Sequence, residues 1–166
     1  MGVELREVPL TEKEILSNLL EKYFYELSQY ELFPFREDGL FGYDYLDSYW
    51  TEAGRRAYFI RTGGRLAGCV LLNQHPARRD RPLDWAVAEF FIAYPYRRGG
   101  VGSAVMEELF ARYPGNWQIM YHPKNTAGAA FWHRAAEKAA KGPVDLLEGD
   151  EPYEDGSPAQ VLCFRV

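Results

Sequence analysis

The stretch Trp85–Val105, WAVAEFFIAYPYRRGGVGSAV, decides how this chain reads. Trp85 to Ala93 is nearly unbroken apolar, rich in aromatic and branched residues, with a single acid, Glu89. A run of that kind predicts a strand covered on both faces. The basic glycine loop Arg97-Arg98-Gly99-Gly100-Val101-Gly102 follows. Val101, Val105, Leu109 and Phe110 then recur at helical spacing, up to the stop signal Tyr113-Pro114-Gly115.

A strand that runs through a glycine loop into a helix start offers a place for an anion. The first backbone N–H groups of a helix have no partners within it, and the helix dipole adds partial positive charge there. Glycine lets a bulky anion approach the backbone closely, and Arg97 and Arg98 add full charges. The plainer alternative is a strand–helix turn that uses glycine for geometry and arginine for solubility. Two familiar phosphate loops fit poorly. A Walker loop needs lysine before its serine, and Gly102 precedes Ser103 here. A dinucleotide fingerprint needs a third glycine, where this chain has Val105, and an acid about 20 residues on, where the next strand candidate ends in Tyr121-His122.

Composition sets the class. At 166 residues the chain is long enough for one domain with its own core. Hydrophobic residues make up 47% and charged residues 26%, which is the balance of a globular chain rather than a disordered one. The formal charge of −5 argues against a general nucleic-acid binder and mildly favours cationic substrates. The two cysteines, Cys69 and Cys163, lie in apolar strand-like runs and read as buried thiols, not as a disulfide or a metal site. No run reaches the roughly 18 apolar residues of a membrane span. MGVELREVPL lacks a signal-peptide core, and Arg6 occupies the position where myristoylation wants Ser or Thr. A cytoplasmic location is the default expectation.

Outward from the central stretch, Val3 to Val8 alternates as a half-buried strand. Thr11-Glu12-Lys13-Glu14 reads as a capping box. It opens a helix with Ile15, Leu16, Leu19, Leu20, Tyr23, Phe24 and Leu27 on one face, ending near Gln29 or Tyr30. Leu32 to Tyr49 carries Pro34, Gly39 and Gly42, the aromatics Phe33, Phe35, Phe41, Tyr43 and Tyr45, and the acids Glu37, Asp38, Asp44 and Asp47. It reads as a loop leading to a short helix near Asp44 to Trp50. A long aromatic loop of this kind is either a functional lid or a cover for the core. Arg56–Arg61 and Arg65–Leu72 form a hairpin across Thr62-Gly63-Gly64. Gly68 within it marks a bulge or a close backbone approach. Asn73 to Asp84 is a charged surface loop with His75 solvated. Trp117–Tyr121 is a further strand. Asn125 caps a helix whose face continues through Phe131, Ala135 and Ala139 to Lys141-Gly142-Pro143. Val144–Leu147 and Val161–Val166 are terminal strands around an acidic loop, Glu148 to Pro158.

Two spaced motifs stand out. Arg97, Gly100 and Gly102 fill Arg-x-x-Gly-x-Gly, and downstream Asn125, Gly128, Phe131 and Trp132 lie at intervals of three, three and one. With these motifs and this element order, nearly the whole chain resembles the GNAT N-acetyltransferase superfamily. The resemblance implies an α/β fold in a single domain: a mixed, mostly antiparallel twisted sheet flanked by helices. It implies acetyl-CoA as cofactor, its pyrophosphate held by the loop Arg97, Arg98, Gly99, Gly100, Val101, Gly102 and Ser103, with Asn125, Phe131 and Trp132 nearby. It places the N–H that meets the acetyl oxygen near Ile92. The exposed backbone of Phe91, Ile92 and Ala93 is then available to pair with the pantetheine arm as a strand would.

Acetyl transfer to an amine needs a base and a way to release the thiolate. Glu89, an acid in an apolar strand, is the candidate base; its alternatives are a wet-side acid or a structural ion pair. The family's usual tyrosine acid is replaced by Trp132, whose indole N–H donates but is not a practical proton source. Tyr121 or a lid tyrosine is then the acid, or the thiolate leaves unprotonated; Trp132 is expected to pack under the cofactor arm. The expected acceptor is a small-molecule amine or a peptide, with a cationic one favoured by the acidic lid. No nucleic acid, membrane or metal is expected, and a homodimer is left open. The rival reading is a CoA-binding regulatory module that has lost catalysis.

Overall fold

Residues 2–166 are described by a computed structural model. In order the chain forms β1 (Val3–Glu7), a 3-10 turn (Leu10–Glu12), α1 (Lys13–Leu27), α2 (Ser48–Thr51), β2 (Arg56–Thr62), β3 (Arg65–Asn73), β4 (Trp85–Ile92), a second 3-10 turn (Tyr94–Tyr96), α3 (Val101–Arg112), β5 (Asn116–Tyr121), α4 (Thr126–Ala139), β6 (Asp145–Glu148) and β7 (Gln160–Arg165). The seven strands form one sheet in the order β1-β2-β3-β4-β5-β7-β6. The β1–β2, β2–β3, β5–β7 and β6–β7 pairs are antiparallel, and β4–β5 is parallel. The expected α/β class with a mixed, mostly antiparallel sheet is therefore the observed one. Contacts divide the chain into two compact units: residues up to Leu72 with Glu89–Val105, and Asn73–Ala88 with Met106–Val166.

In the first unit α1 buries Leu16, Leu20 and Phe24, a stripe of period four. Burying each of these side chains is worth about 1.5–3 kcal/mol. The stripe is narrower than the sequence suggested: Ile15 is exposed, and Leu19, Tyr23 and Leu27 are half-buried. The capping box does not form. Glu12, not Thr11, is the residue before the helix, and it makes no side-chain cap; its carboxylate pairs with Arg6. The chain enters α1 through the 3-10 turn, where Glu12 N–H donates to Pro9 C=O. The helix also stops earlier than expected, at Leu27, whose carbonyl accepts from both Tyr30 and Glu31 N–H in the turn that follows.

The β2–β3 hairpin turns through Gly63 and Gly64 with φ of 56° and 74°, the double left-handed geometry that strand twist favours. Further along, Ile60 pairs with Gly68 and Arg61 with Leu66, so Ala67 is an extra residue on β3. A Cβ at Gly68 would lie 1.9 Å from Phe91 O. Both readings of Gly68, bulge and close approach, are thus realised at one position.

β4 is not covered on both faces as its apolar run suggested. Ala86, Phe91 and Ile92 are buried, whereas Val87 to Phe90 are half-buried. Its ladder with β5 runs only from Trp85↔Trp117 to Val87↔Ile119, so the strand's later residues lie outside that ladder.

The second unit has its core in Trp117, Ile119, Val161 and Leu162, all essentially inaccessible. The buried Gln118 side chain accepts from Ala77 and Arg78 N–H at 2.9 and 3.0 Å and donates to Arg78 C=O at 3.0 Å, which fixes the 73–84 loop. His75 in that loop is exposed. On α4 the buried face is Trp132 and Ala136, one residue on from the expected Phe131, Ala135 and Ala139, which are half-buried. Both cysteines are buried free thiols.

Candidate active site

The backbone at the end of β4 sorts its donors by alternation. Phe91 C=O points at Gly68 on β3, and Ala93 N–H donates to Ala67 C=O at 2.8 Å. Both residues therefore serve the β3 side. Ile92 faces the opposite edge, where its carbonyl accepts from Arg97 Nε at 2.6 Å. Of the three residues read as open for strand-like pairing, Phe91 and Ala93 are turned to β3. Ile92 alone presents its N–H on the other edge.

The loop that follows is braced from α1. The Arg97 guanidinium forms a two-pronged pair with Glu26, both contacts 2.6 Å, and lies 4.3 Å from the Tyr94 ring centre. Planar fork-to-carboxylate geometry is the strong form of this interaction. Arg97 is thus a brace whose charge is neutralised, not the free positive charge that the sequence suggested. Arg98 is exposed, and its side chain makes no hydrogen bond or ion pair among the described residues. Its φ of 64° is left-handed, as is Gly100 at 83°; such a backbone turns successive amides inward to make a concavity for an anion. The helical ladder begins with Ala104 N–H to Gly100 C=O at 3.0 Å, so the amides of Val101, Gly102 and Ser103 precede it.

Gly99 gives the fit test for a phosphate-bearing cofactor. Its φ is not in the left-handed region, and a Cβ there would meet no atom within 4 Å. Neither the fold's geometry nor its packing constrains this position, which is an x of the Arg-x-x-Gly-x-Gly pattern, so the space beside it is open.

Glu89 sits two residues before Phe91 on the half-buried part of β4. Solvent still reaches its strand position, yet the protein packed around the carboxyl raises its pKa to about 8. Burial is the main cause; the Tyr23 hydrogen bond opposes it and the Glu31 charge adds to it. Glu89 is half-buried and belongs to no ion pair among the described residues. Tyr23, Tyr43 and Tyr49 all feel its charge, and burial holds the three phenols above their ordinary range. Tyr43 and Tyr49 hydroxyls are 3.3 Å apart, and the buried Arg55 lies over the Tyr45 and Tyr49 rings, paired with Glu52 at 2.5 Å. The loop carrying Tyr43 is anchored by Glu21, whose two oxygens accept Phe41 and Gly42 N–H at 2.8 and 2.9 Å.

In the second unit Asn125 caps α4 as expected: its Oδ1 accepts Gly128 N–H at 2.9 Å. A Cβ at Gly128 would come within 3 Å of the Asn125 amide group, so the cap packs tightly over this glycine. Phe131 packs edge-on against Trp132, with ring centres 4.9 Å apart. Tyr121, at the end of β5, is buried with its hydroxyl 2.7 Å from His133 Nε2, and burial raises its pKa. His122 braces the 149–159 loop. Its Nδ1 accepts Lys124 N–H at 3.0 Å, so Nε2 carries the proton toward Asp155 at 3.0 Å.

Tyr23, Glu26 and His133 were not singled out in the sequence. The first two sit within the helical stripe and its flank, and nothing local signals that they meet Glu89 and Arg97. His133 follows an aromatic pair, and its partner lies 12 residues earlier on another element.

A model of the Acetyltransferase (GNAT) family matches residues 14–136. Comparison with curated proteins gives no match. Among solved structures, an acetyltransferase from Thermus thermophilus is similar over 100% of this chain and 98% of its own, at 14% identity and a TM-score of 0.70. A structure described as histone acetyltransferase HPA2 and related acetyltransferase, from Corynebacterium glutamicum, covers 99% of this chain and 97% of its own at 16% identity, with a TM-score of 0.71. A GNAT family acetyltransferase from Elizabethkingia anophelis with acetyl-CoA bound covers 99% and 98% at 12% identity, with a TM-score of 0.58. The chain belongs to the GNAT acetyltransferase family, and its fold is the GNAT fold. Members of that family are in general acetyl-CoA-dependent N-acyltransferases that act on amine or peptide acceptors.

Proposed function

We propose that this protein is an acetyl-CoA-dependent N-acetyltransferase, acting as a single domain, with Glu89 as the general base. The observation that carries this reading is the Glu89 carboxyl: the one acid of β4, half-buried, with a pKa raised to about 8. A base poised near the working pH can take a proton from an ammonium or amine and still be ionised often enough to act. The acetyl thioester supplies the acyl group, its C–S bond exchanged for the new C–N bond. Around it, Ile92 N–H is the donor for the acetyl oxygen. The amides of Val101, Gly102 and Ser103, with Gly99, Gly100 and Arg98, take the pyrophosphate. Arg97 holds the loop in shape; the cofactor-arm roles of Asn125, Phe131 and Trp132 rest on the family resemblance of their motif. Tyr121, hydrogen-bonded to His133, holds the second transferable proton.

The reading has two separable tests. Calorimetric titration of acetyl-CoA against wild type and Gly102→Asp should show binding lost in the variant; equal affinities would remove the loop assignment. For Glu89→Gln, turnover should fall by about 10²–10⁴-fold, and an unchanged rate between pH 6 and 9 would remove Glu89 as the base. Trp132, buried at the position of the family's usual acid, supports a second reading: a regulatory module that binds CoA without catalysis. Tight acetyl-CoA binding with no thiol released across a panel of amines would favour that module. Among the described residues no helix is long and apolar enough to cross a membrane. The acidic net charge of −5 fits an enzyme without nucleic-acid partners; whether the protein works as a homodimer is read by sedimentation.

A further inference from the structure

Resting on the reading of Tyr121 as the acid, we propose that His133 is the residue that positions it. The imidazole donates from Nε2 to the phenol oxygen and so leaves the hydroxyl proton free for the CoA thiolate. The first ground is geometry. The Tyr121 hydroxyl lies 2.7 Å from His133 Nε2, and the two rings meet edge-on with centres 5.8 Å apart. Tyr121 is buried, and its side chain makes no other hydrogen bond among the described residues. It stands two residues past Ile119, the last residue of β5 laddered to β4. The phenol of a β5 residue thus reaches α4 one position past Trp132, which fills the place of the family's usual tyrosine.

The second ground is the contrast between two histidines. His122 has both ring nitrogens engaged, Nδ1 by Lys124 N–H and Nε2 by Asp155, so its role is to brace a loop. His133 is held through Nε2 alone. It is half-buried, and its Nδ1 makes no hydrogen bond among the described residues. The partner of one ring nitrogen sets which of the two carries the proton. With Nδ1 unengaged, the ring is free to hold its proton on Nε2 and donate it to Tyr121.

The third ground is the need for such a donor. Burial raises the Tyr121 phenol, and no charged group contributes to that shift. A phenol at about 10 or above is a weaker acid than a thiol at about 8.5, so transfer from an unsupported Tyr121 runs uphill. A hydrogen bond donated to the phenolate stabilises it and lowers that cost. In the step itself the S–H bond forms as the Tyr121 O–H bond breaks. The phenolate left behind is held by His133 N–H and regains a proton from solvent after CoA departs.

The test titrates the thiol of CoA bound to the full chain. Thiolate absorbance is followed with the acetyl-CoA complex as blank, so the acceptor need not be known. In wild type the bound thiol should titrate below free CoA, because Tyr121 O–H donates to the thiolate. Tyr121→Phe should raise its pKa by about one unit, the worth of one hydrogen bond to a charged group. His133→Phe keeps the phenol without its donor and should raise it about half as far. His133→Gln, which offers an N–H at a similar reach, should bring it back toward the wild-type value. A packing role would tolerate Phe, the closer match in shape, better than Gln, so the two roles predict opposite orders. A His133→Phe value equal to wild type, or a His133→Gln value as high as that of His133→Phe, overturns the inference and leaves Tyr121 as the acid. No change in Tyr121→Phe removes the acid and its positioning residue together. Calorimetry identifies the remaining case: if CoA does not bind at all, the cofactor reading falls and this inference falls with it.

Discussion

At Glu89, burial and Tyr23 pull in opposite directions. Burial favours the neutral acid, while the Tyr23 hydroxyl donates to the carboxylate and favours the charged form. The balance leaves a pKa of about 8, so the rate-limiting protonation state changes within an accessible range. With Glu89 as base, kcat/KM should rise with pH and level off above about 8. Tyr23→Phe removes the stabilising donor, so the midpoint of that rise should move to higher pH while the plateau is kept. A pH–rate profile of the two proteins checks this, and a midpoint unchanged or moved down would show that Tyr23 does not tune the acid. Glu89 was legible in the sequence, because a lone acid in an apolar strand asks for an explanation. Tyr23 was not, because a tyrosine on a helical stripe is ordinarily just core.

At the scale of elements, two neighbours of β4 set its shape. The bulge at Ala67 brings Gly68 against Phe91 C=O, where a Cβ would sit 1.9 Å away. Since that neighbour is backbone, Gly68→Ala must part the strands. It should cost about 1–3 kcal/mol or more, seen as a lower denaturation midpoint with an unchanged slope. The other neighbour is α1, which braces the glycine loop through Glu26 and Arg97. Glu26→Ala leaves Arg97 unpaired and the loop less ordered, so acetyl-CoA affinity should fall about tenfold without Glu26 touching the ligand. Arg98→Ala should also weaken binding, but in a way that salt mimics, because an exposed charge acts through a screened field. Binding titrations at two salt concentrations distinguish a brace from a direct contact; equal salt sensitivity in both variants would contradict these roles. The loop's glycines and arginines were legible as an anion site, but the division of labour between Arg97 and Arg98 was not. It depends on a helix about 70 residues earlier in the chain.

For the molecule as a whole, periodicity and punctuation carried most of the architecture. Strand after strand fell within a residue or two of its expected span, because alternation and turn glycines are local signals. What failed was the context that neighbours impose: the helix entered through a 3-10 turn with Glu12 before it and no capping box, β4 stayed half-open, and the buried face of α4 shifted to Trp132 and Ala136. The half-open strand also shapes the stability of the entire chain. Glu89 has a folded-state pKa of about 8, well above the roughly 4.3 of an unfolded glutamate. Between those values the folded chain binds more protons than the unfolded one, so stability falls as pH rises. The contribution is fully present below the unfolded pKa and is lost once pH passes the folded one. The melting temperature of wild type should therefore decline from pH 6 to pH 9. In Glu89→Gln, which cannot ionise, that part of the decline should vanish, leaving the variant more stable than wild type at pH 9 although it is inactive. Thermal melts of both proteins across this range decide the matter: parallel curves would mean that the carboxyl is not held neutral by burial.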